Sequence, residues 1–462
     1  MTRQFLIAGA WLLLLVGCGD AADPPEQAPA AVDRTPPSRL VRLDRSGGDA
    51  VVYDLPGLTI ADWEARNRLP AIDAVIGSSI TPAQVVLRDT RGNLVALGLE
   101  SRRSRTLDED VALGAIGADG SLYTVDTAGR AFEAGRRTPQ RYAHAFAGMP
   151  DYLTAGAEGR LIGVDTSAPA LEVLRPSDTL RVVPIAAGRL ALSSWGDLAA
   201  VAADTALLLY QPSNDDPPTA VDVEGAIDVA FSPSGHRIYV LARDGELVTV
   251  DRFSSKVRGR INLPGEGVAL RAGNFGRWLL VGAAGGNSAW VVDLDADSLV
   301  GELPTAWDDQ FPLLTSPNLV VTADGDDVVA RSLTDAGFPE TGRVANAADD
   351  AWVSVTWGPD GADASADGTD EAGAADSAAP ADSASGERVF LQVSSSQNPE
   401  WAQALADKLG AADLDASVLQ PSGENTGYRV VLGPFGSREE AEAAGRSLGM
   451  PYFVIDAPTT AP

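Results

Sequence analysis

The sequence has few of the residues from which catalytic and metal sites are commonly built. Its 462 residues include one cysteine, Cys18, and two histidines, His144 and His236. A single cysteine cannot form an intramolecular disulfide, and these three residues are too few for an ordinary zinc site. No His-Glu-x-x-His motif occurs. We therefore expect structural roles for both histidines and a protein that is not an enzyme, with no catalytic residues, metal or cofactor.

Basic residues are also scarce. The chain has 64 acidic and 35 basic side chains and a formal net charge of −29. Nucleic-acid binding needs a basic face, so nucleic acid is not an expected partner. The acidity is equally typical of a solvated surface. The short basic run Ser101–Arg105 predicts a solvated turn, and the length of the chain predicts two or three domains.

The chain begins with a basic start and one apolar run. The run, Phe5–Val16, is shorter than the about 20 residues that span a bilayer. Its end, Leu15-Val16-Gly17-Cys18, resembles the lipobox of bacterial lipoproteins. The resemblance implies a signal peptide over 1–18, lipidation of Cys18 and attachment to a membrane of the cell envelope. Gly19 favours the outer membrane, facing the periplasm; an ordinary signal peptide with an incidental cysteine is the alternative.

Residues 40–357 consist of short β-rich runs separated by turns. The clearest unit, Ala226–Asp251, contains three such runs and an Asp244-Gly245 hairpin signal. Units begin near residues 73, 109, 150, 183, 226, 266 and 308. A period of about 40 residues with four strands per unit predicts a β-propeller of about seven blades. We expect Val51–Tyr53 to close the ring with the last blade, and a pair of β-sandwiches is the alternative fold.

The propeller sequence gives the architecture and little chemistry. Phe231–Gly235 and the closing Val-Asp pairs resemble WD40-like and quinoprotein-like propellers, which implies a fold and no particular function. Asp293–Asp297 opens like a calcium loop, but Ser298 replaces its turn glycine and Pro304 replaces its bidentate glutamate. The segment therefore predicts a polar turn between the outer strands of a blade.

Two segments have the composition of linkers. Residues 19–39 are rich in proline and alanine, which predicts a disordered tether. Residues 358–386 are rich in alanine, serine, glycine and aspartate, and from residue 361 onward they contain no basic residue. This acidic linker is expected to separate two independent domains, with a mean span of roughly 25–30 Å for a random coil.

Residues 387–457 alternate strands and helices in the order βαββαβ, followed by a tail at 458–462. Pro399 begins the first predicted helix and Gly410 ends it, while Ser437–Glu440 forms a capping box for the second. This order predicts a small α+β ferredoxin-like domain with both helices on one face of a four-stranded sheet. Strict alternation then places Gln392, Ser394 and Arg429 on a solvated face, next to the ring of Phe390.

Two stretches of this domain, Leu391–Ser395 and Tyr428–Ala441, resemble the SPOR domain. The resemblance implies binding to peptidoglycan glycan strands that lack stem peptides, often at division septa. The glycan-binding candidates are Phe390, Gln392, Ser395, Tyr428 and Arg429. Ser394-Ser395-Ser396 stands where the family has Gly-Ser-Phe, which is expected to alter that loop. A ferredoxin-like domain whose open face contacts protein is the alternative.

Together these observations predict a multidomain protein, with an all-β propeller followed by a SPOR-like domain. The favoured hypothesis is an envelope lipoprotein that binds denuded glycan strands and presents its propeller to a protein partner, with a further hypothesis of septal placement. One alternative is an assembly scaffold at the outer membrane. A propeller lyase or hydrolase is less favoured, because the sequence shows no cluster of titratable side chains.

Overall fold

The computed structural model describes most of the two predicted domains. The described residues are 38–79, 82–117, 120–135, 139–156, 159–165, 170–176, 180–185, 188–193, 196–212, 216–232, 235, 237–252, 254–273, 276–294, 296–316, 318–357, 389–396, 399–410, 414–421, 428–438, 440–441, 444–445 and 452–456. The predicted signal peptide with Cys18, the tether up to residue 37, the linker at 358–386 and the tail lie outside these residues, as does His236.

The described residues of the larger domain form eight four-stranded antiparallel sheets, which we call blades 1 to 8. Blade 1 combines both ends of the domain: β1 (Ser38–Leu43), β2 (Ala50–Asp54), β3 (Thr59–Ile60) and β32 (Ala351–Thr356). Each of the other blades is one continuous stretch of chain.

The strands of blades 2 to 4 are β4 (Ile72–Ser79), β5 (Gln84–Asp89), β6 (Leu94–Gly98), β7 (Arg103–Asp108), β8 (Val111–Ile116), β9 (Leu122–Asp126), β10 (Arg130–Ala134), β11 (Gln140–Ala145), β12 (Tyr152–Ala155), β13 (Leu161–Asp165), β14 (Ala170–Leu174) and β15 (Arg181–Pro184). Those of blades 5 and 6 are β16 (Gly188–Leu192), β17 (Ala199–Ala203), β18 (Ala206–Tyr210), β19 (Thr219–Val221), β20 (Ala226–Phe231), β21 (Arg237–Ala242), β22 (Glu246–Asp251) and β23 (Lys256–Asn262). Those of blades 7 and 8 are β24 (Gly267–Ala272), β25 (Trp278–Ala283), β26 (Ser288–Asp293), β27 (Ser298–Pro304), β28 (Leu313–Ser316), β29 (Leu319–Asp324), β30 (Asp327–Ser332) and β31 (Glu340–Val344).

Hydrophobic packing joins the blades into a ring. Among the described residues, eight buried apolar clusters each combine side chains of two consecutive blades, and one of the eight joins blade 8 to blade 1. Alternate residues of one strand belong to different junctions. Val85 and Leu87 pack toward blade 1, whereas Val86 packs toward blade 3. Strands buried on both faces read as apolar runs such as Trp278–Ala283. The propeller prediction is therefore confirmed.

The structure corrects the number of blades and the closure. Seven repeats were expected to begin near 73, 109, 150, 183, 226, 266 and 308, and the first strands of blades 2 to 8 begin at 72, 111, 152, 188, 226, 267 and 313. The count of seven was one short, because blade 1 is assembled from both ends and leaves no continuous repeat in the sequence. Val51–Tyr53 lies in β2, whereas β1 is the strand that pairs with β32.

The C-terminal domain has one four-stranded antiparallel sheet, in the order β34-β35-β33-β36. Its elements are β33 (Val389–Ser396), α1 (Pro399–Gly410), β34 (Ala416–Leu419), β35 (Tyr428–Phe435) and β36 (Phe453–Asp456). In the predicted second helix, residues 438, 440–441 and 444–445 are described as helical. The Ser437 hydroxyl accepts the Glu440 amide hydrogen at 3.1 Å, as the predicted capping box requires.

The same aspartate turn occurs in blade 2 and in blade 3 and stabilises each of them. In the Asp-Thr-x-Gly turns after β5 and β9, one carboxylate oxygen of Asp89 accepts the amides of Arg91 and Asn93, and Asp126 accepts those of Ala128 and Arg130, all at 2.9 Å. Burial favours a higher pKa for Asp126, but the hydrogen bonds from Arg130 and Ala128 outweigh it. The pKa of Asp126 therefore falls below its usual 3.8.

We expect Asp126→Asn to lower the free energy of unfolding at pH 7 by about 1–2 kcal/mol, because it weakens three charge-assisted contacts. Folding lowers the pKa of this carboxyl, so its contribution is present above 3.8 and is lost as the pH falls through the lowered value. Urea denaturation should show a difference from wild type that shrinks as the pH falls below 3.8.

The control is Glu109→Gln, since Glu109 is exposed and its carboxylate has no partner among the described residues. It should shift the unfolding free energy by less than about 0.5 kcal/mol. A deficit for Asp126→Asn that stays constant at acidic pH would show that the charge on this carboxylate does not stabilise the fold.

Candidate functional site

The C-terminal sheet has one face covered by helix α1. Val389, Leu391 and Val393 of β33 and Val430 and Leu432 of β35 are at most 4% exposed. They form one apolar cluster with the inner side of α1, which contributes Ala402, Leu405, Ala406 and Leu409. The alternate positions of each strand therefore belong to the opposite face, which we call the outer face.

A β-bulge in β33 sets the register on the outer face. Gln392 pairs with Val431, but after the bulge Ser394 pairs with Val430 and Ser395 with Arg429. Directly paired residues share a face. Ser394 therefore belongs to the helix side and is 2% exposed. Its predicted place on the solvated face was wrong, because the extra residue interrupts the alternation and brings position 395, instead of 394, opposite Arg429.

The outer face is less open than the sequence predicted. Gln392 is only 8% exposed and Val431 is fully buried. The prediction that Gln392 lies on a solvated surface was therefore wrong. The physical reason is its place on an inner strand, where Val431 pairs with it from β35 and residue 453 pairs with it from β36.

Arg429 is the candidate with the most distinctive environment. The side chain is half-buried. Its Nε is buried and has no hydrogen-bond partner among the described residues. Leaving a buried donor unsatisfied costs about 1–3 kcal/mol, so a side-chain movement that brings this nitrogen to a ligand oxygen would recover a substantial interaction. Arg429 lies two residues along β35 from the partner of Gln392, a diagonal spacing of roughly 7–8 Å.

The remaining candidates divide between the two faces. Phe390 is half-buried on the outer face, next to Ile455 of β36. Tyr428 instead packs against the helix-side cluster, so its assignment to the glycan-binding surface was wrong. Alternation in β35 places it with Val430 and Leu432, and the ring fills the helix side. Sequence analysis missed Ser417 and Leu419, which flank Val431 and Arg429 on the outer face. Their alternation with half-buried Val418, which packs against the helix-side cluster, was the available signal.

The propeller shows no comparable cluster in its described part. No group of three or more His, Cys, Asp or Glu side chains is placed to hold a metal ion. In the calcium-like segment, Asp293 binds the Arg277 guanidinium at 2.9 Å, and the segment forms the turn between β26 and β27, as predicted. His144 is exposed on β11. No described helix is both long and apolar enough to cross a membrane.

These features define a protein with an eight-bladed propeller and a βαββαβ domain. Residues 385–450 match the SPOR domain family, so the chain contains a SPOR domain. A SPOR domain implies peptidoglycan binding and a place in the cell envelope. No curated protein matches the chain.

Solved structures resemble the propeller part. The crystal structure of Citrobacter koseri AztD is 13% identical, with a TM-score of 0.48, and the match covers 69% of this chain and 97% of AztD. Apo AztD from the same organism is 12% identical, with 69% and 98% covered and a TM-score of 0.48. The dihydro-heme d1 dehydrogenase NirN in complex with DHE is 11% identical, with 70% and 76% covered and a TM-score of 0.48. At these values the likeness carries no functional meaning for this chain.

The assignment of Tyr428 to the helix side makes a testable difference. We expect Tyr428→Ala to destabilise the C-terminal domain by about 1–3 kcal/mol, because it removes a ring that packs on the apolar cluster. Hydrogen exchange at the amides of Val430 and Leu432 in the full chain should quicken accordingly. The matched change on the outer face, Ser417→Ala, removes an exposed hydroxyl and should leave exchange unchanged. Faster exchange in Ser417→Ala and unchanged exchange in Tyr428→Ala would show that Tyr428 does not pack on the helix side.

Proposed function

We propose that this protein is an exported envelope lipoprotein that binds denuded glycan strands of peptidoglycan through the outer face of its SPOR domain. The observation that carries the proposal is Arg429, whose buried Nε lacks a partner among the described residues, within a domain that matches the SPOR family at 385–450. The propeller would present its surface to a protein partner, and the preference for denuded glycan would concentrate the protein at division septa.

The chemistry of the outer face suits a sugar polymer. The Gln392 amide offers two donors and an acceptor, and the Arg429 guanidinium offers donors only, which match hydroxyl and acetamido groups. Phe390, Leu419 and Ile455 are half-buried apolar side chains that can cover the faces of pyranose rings. Polar groups would fix the orientation of the chain, and apolar contacts would add affinity.

The serine-rich segment 394–396 is where this domain departs from the family pattern. The bulge pairs position 395 with Arg429 in the backbone register, which supports a role for the family's serine position in binding. The aromatic residue that the family carries in this segment is a serine here, Ser396. We expect Phe390 and Leu419 to supply the apolar contacts in its place.

The double variant Gln392→Ala with Arg429→Ala should weaken binding to amidase-stripped peptidoglycan by about tenfold or more, since hydrogen bonds to a charged donor contribute about 1.5–3 kcal/mol each. Co-sedimentation of the full chain with the stripped polymer measures the effect. The matched control is Gln403→Ala with Arg438→Ala, which removes the same side-chain types from exposed positions on the helical side. Equal retention of all three proteins would refute the assigned face.

Lipidation of Cys18 is a separate part of the proposal and needs a separate test. Cys18→Ala should abolish incorporation of labelled fatty acid and release the protein from the membrane fraction, because no other cysteine is available for the thioether. Binding of the purified variant to stripped peptidoglycan should be unchanged. Persistent labelling of Cys18→Ala would show that the N-terminus is not a lipoprotein signal.

A further inference from the structure

The outer edge of blade 2 carries a group of arginines without carboxylate partners. Arg66, Arg103 and Arg105 are exposed and Arg102 is half-buried. We call these four residues the basic edge. None of them forms an ion pair among the described residues, and neither do the nearest acids in sequence, Glu64, Glu100 and Asp108.

Arginines on the outer strands of blades 6 and 8 behave differently. On β23, Arg258 binds Asp251 at 2.9 Å and Arg260 pairs with Glu246. On β31, Arg343 binds three carboxylates, those of Asp324, Asp327 and Glu340, at 2.7–2.9 Å. The chain has almost twice as many acidic as basic side chains, 64 against 35, so carboxylates are not scarce. The basic edge is therefore available to an anionic ligand from outside the blade.

The local backbone fixes how a ligand can approach. The Arg66 amide donates to the Arg102 carbonyl at 2.6 Å, and the Asn67 side chain bonds to the backbone of Ser104 in both directions, at 2.9 and 3.2 Å. These bonds occupy the free edge of β7 at Ser104, so another strand cannot pair there. A ligand must instead meet the guanidinium groups.

The spacing of the arginines suits separate carboxylates. Arg103 and Arg105 pair in unbroken register with Gly98 and Ala96, so they share a face of β7. Their Cα atoms are about 6.6–6.8 Å apart, which is the rise of two residues along a strand. A guanidinium binds a carboxylate through two parallel hydrogen bonds, which makes the pair selective for planar anions. Arg141, on the outer strand of blade 3, is also exposed and has no carboxylate partner among the described residues. The next blade therefore also offers a guanidinium group to an anion.

We propose that the basic edge binds the carboxylates of peptidoglycan stem peptides. This inference rests on the proposed function, because the SPOR domain would hold the same polymer. A second contact on one polymer becomes effectively intramolecular, so even weak ion pairs add to retention. The acidic linker predicted at 358–386 has a reach of roughly 25–30 Å. The SPOR domain would hold stripped glycan while the basic edge holds nearby strands that still carry peptides.

The test uses the full chain with Arg103→Gln and Arg105→Gln combined, and intact sacculi as the ligand. Retention should fall about threefold to tenfold at low ionic strength, and the difference should disappear at about 0.5 M salt, as expected for exposed ion pairs. Blocking the sacculus carboxylates by amidation should weaken the wild type to the level of the variant. Arg258→Gln with Arg260→Gln has the same change in charge on another outer strand and should bind like the wild type.

Two further arms separate this inference from the proposed function. On amidase-stripped peptidoglycan the Arg103 and Arg105 variant should bind normally, whereas the Gln392 and Arg429 variant should not. In the Gln392→Ala, Arg429→Ala background, residual binding to intact sacculi should depend on Arg103 and Arg105. The inference is overturned if the arginine variant keeps wild-type retention, if the control loses as much, or if anionic phospholipid vesicles alone require the two arginines.

Discussion

The antiparallel pairing of β1 with β32 is the constraint on which the propeller depends. Six consecutive residue pairs join the two strands, from Ser38 opposite Thr356 to Leu43 opposite Ala351. Without this pairing, blade 1 would lack its innermost strand and two of the eight junction clusters would lose side chains. Polar contacts reinforce it at both ends, through Arg39 to the Trp357 carbonyl and Arg42 to Asp350. The ring is thus closed by hydrogen bonds between the beginning and the end of the domain.

This closure has a mechanical consequence. Because Ser38 and Thr356 are cross-strand partners, the chain enters and leaves the propeller at the same end of the same pair of strands. A pull on the two chain ends would load these hydrogen bonds one after another, beginning at Ser38. The contacts of Arg39 with Asp54 and with the face of the Trp357 ring lie at that end and oppose its opening. Under the proposed function, a protein held between a membrane anchor and the wall would need reinforcement at this point.

The sequence was informative where structure repeats and uninformative where it does not. The seven contiguous blades were predictable because each places apolar runs and turn residues at a regular interval, and their first strands begin within a few residues of the expected positions. Blade 1 was not predicted, because it forms by pairing of residues more than 300 positions apart in the sequence, such as Leu40 and Ser354. In the small domain, the order of elements followed from alternation and caps such as Ser437. The bulge after Gln392 could not be predicted from the alternation of apolar and polar residues. It pairs Ser394 with Val430 on the helix side and brings position 395 opposite Arg429.

The geometry of the outer face also bears on why stripped glycan would be preferred. Gln392 is only 8% exposed and pairs with residues of both neighbouring strands, so under the proposed function its amide would be reached by a narrow ligand more readily than by a bulky one. Arg429 adds an unsatisfied buried donor, which a ligand oxygen would satisfy only if it came close enough for the arginine side chain to turn toward it. A glycan chain with a peptide on its sugars is wider and keeps its ring oxygens farther from the sheet. Under the proposed function, selectivity for bare strands would then arise from steric access to Arg429, and peptide-bearing strands would be left to a different surface of the protein.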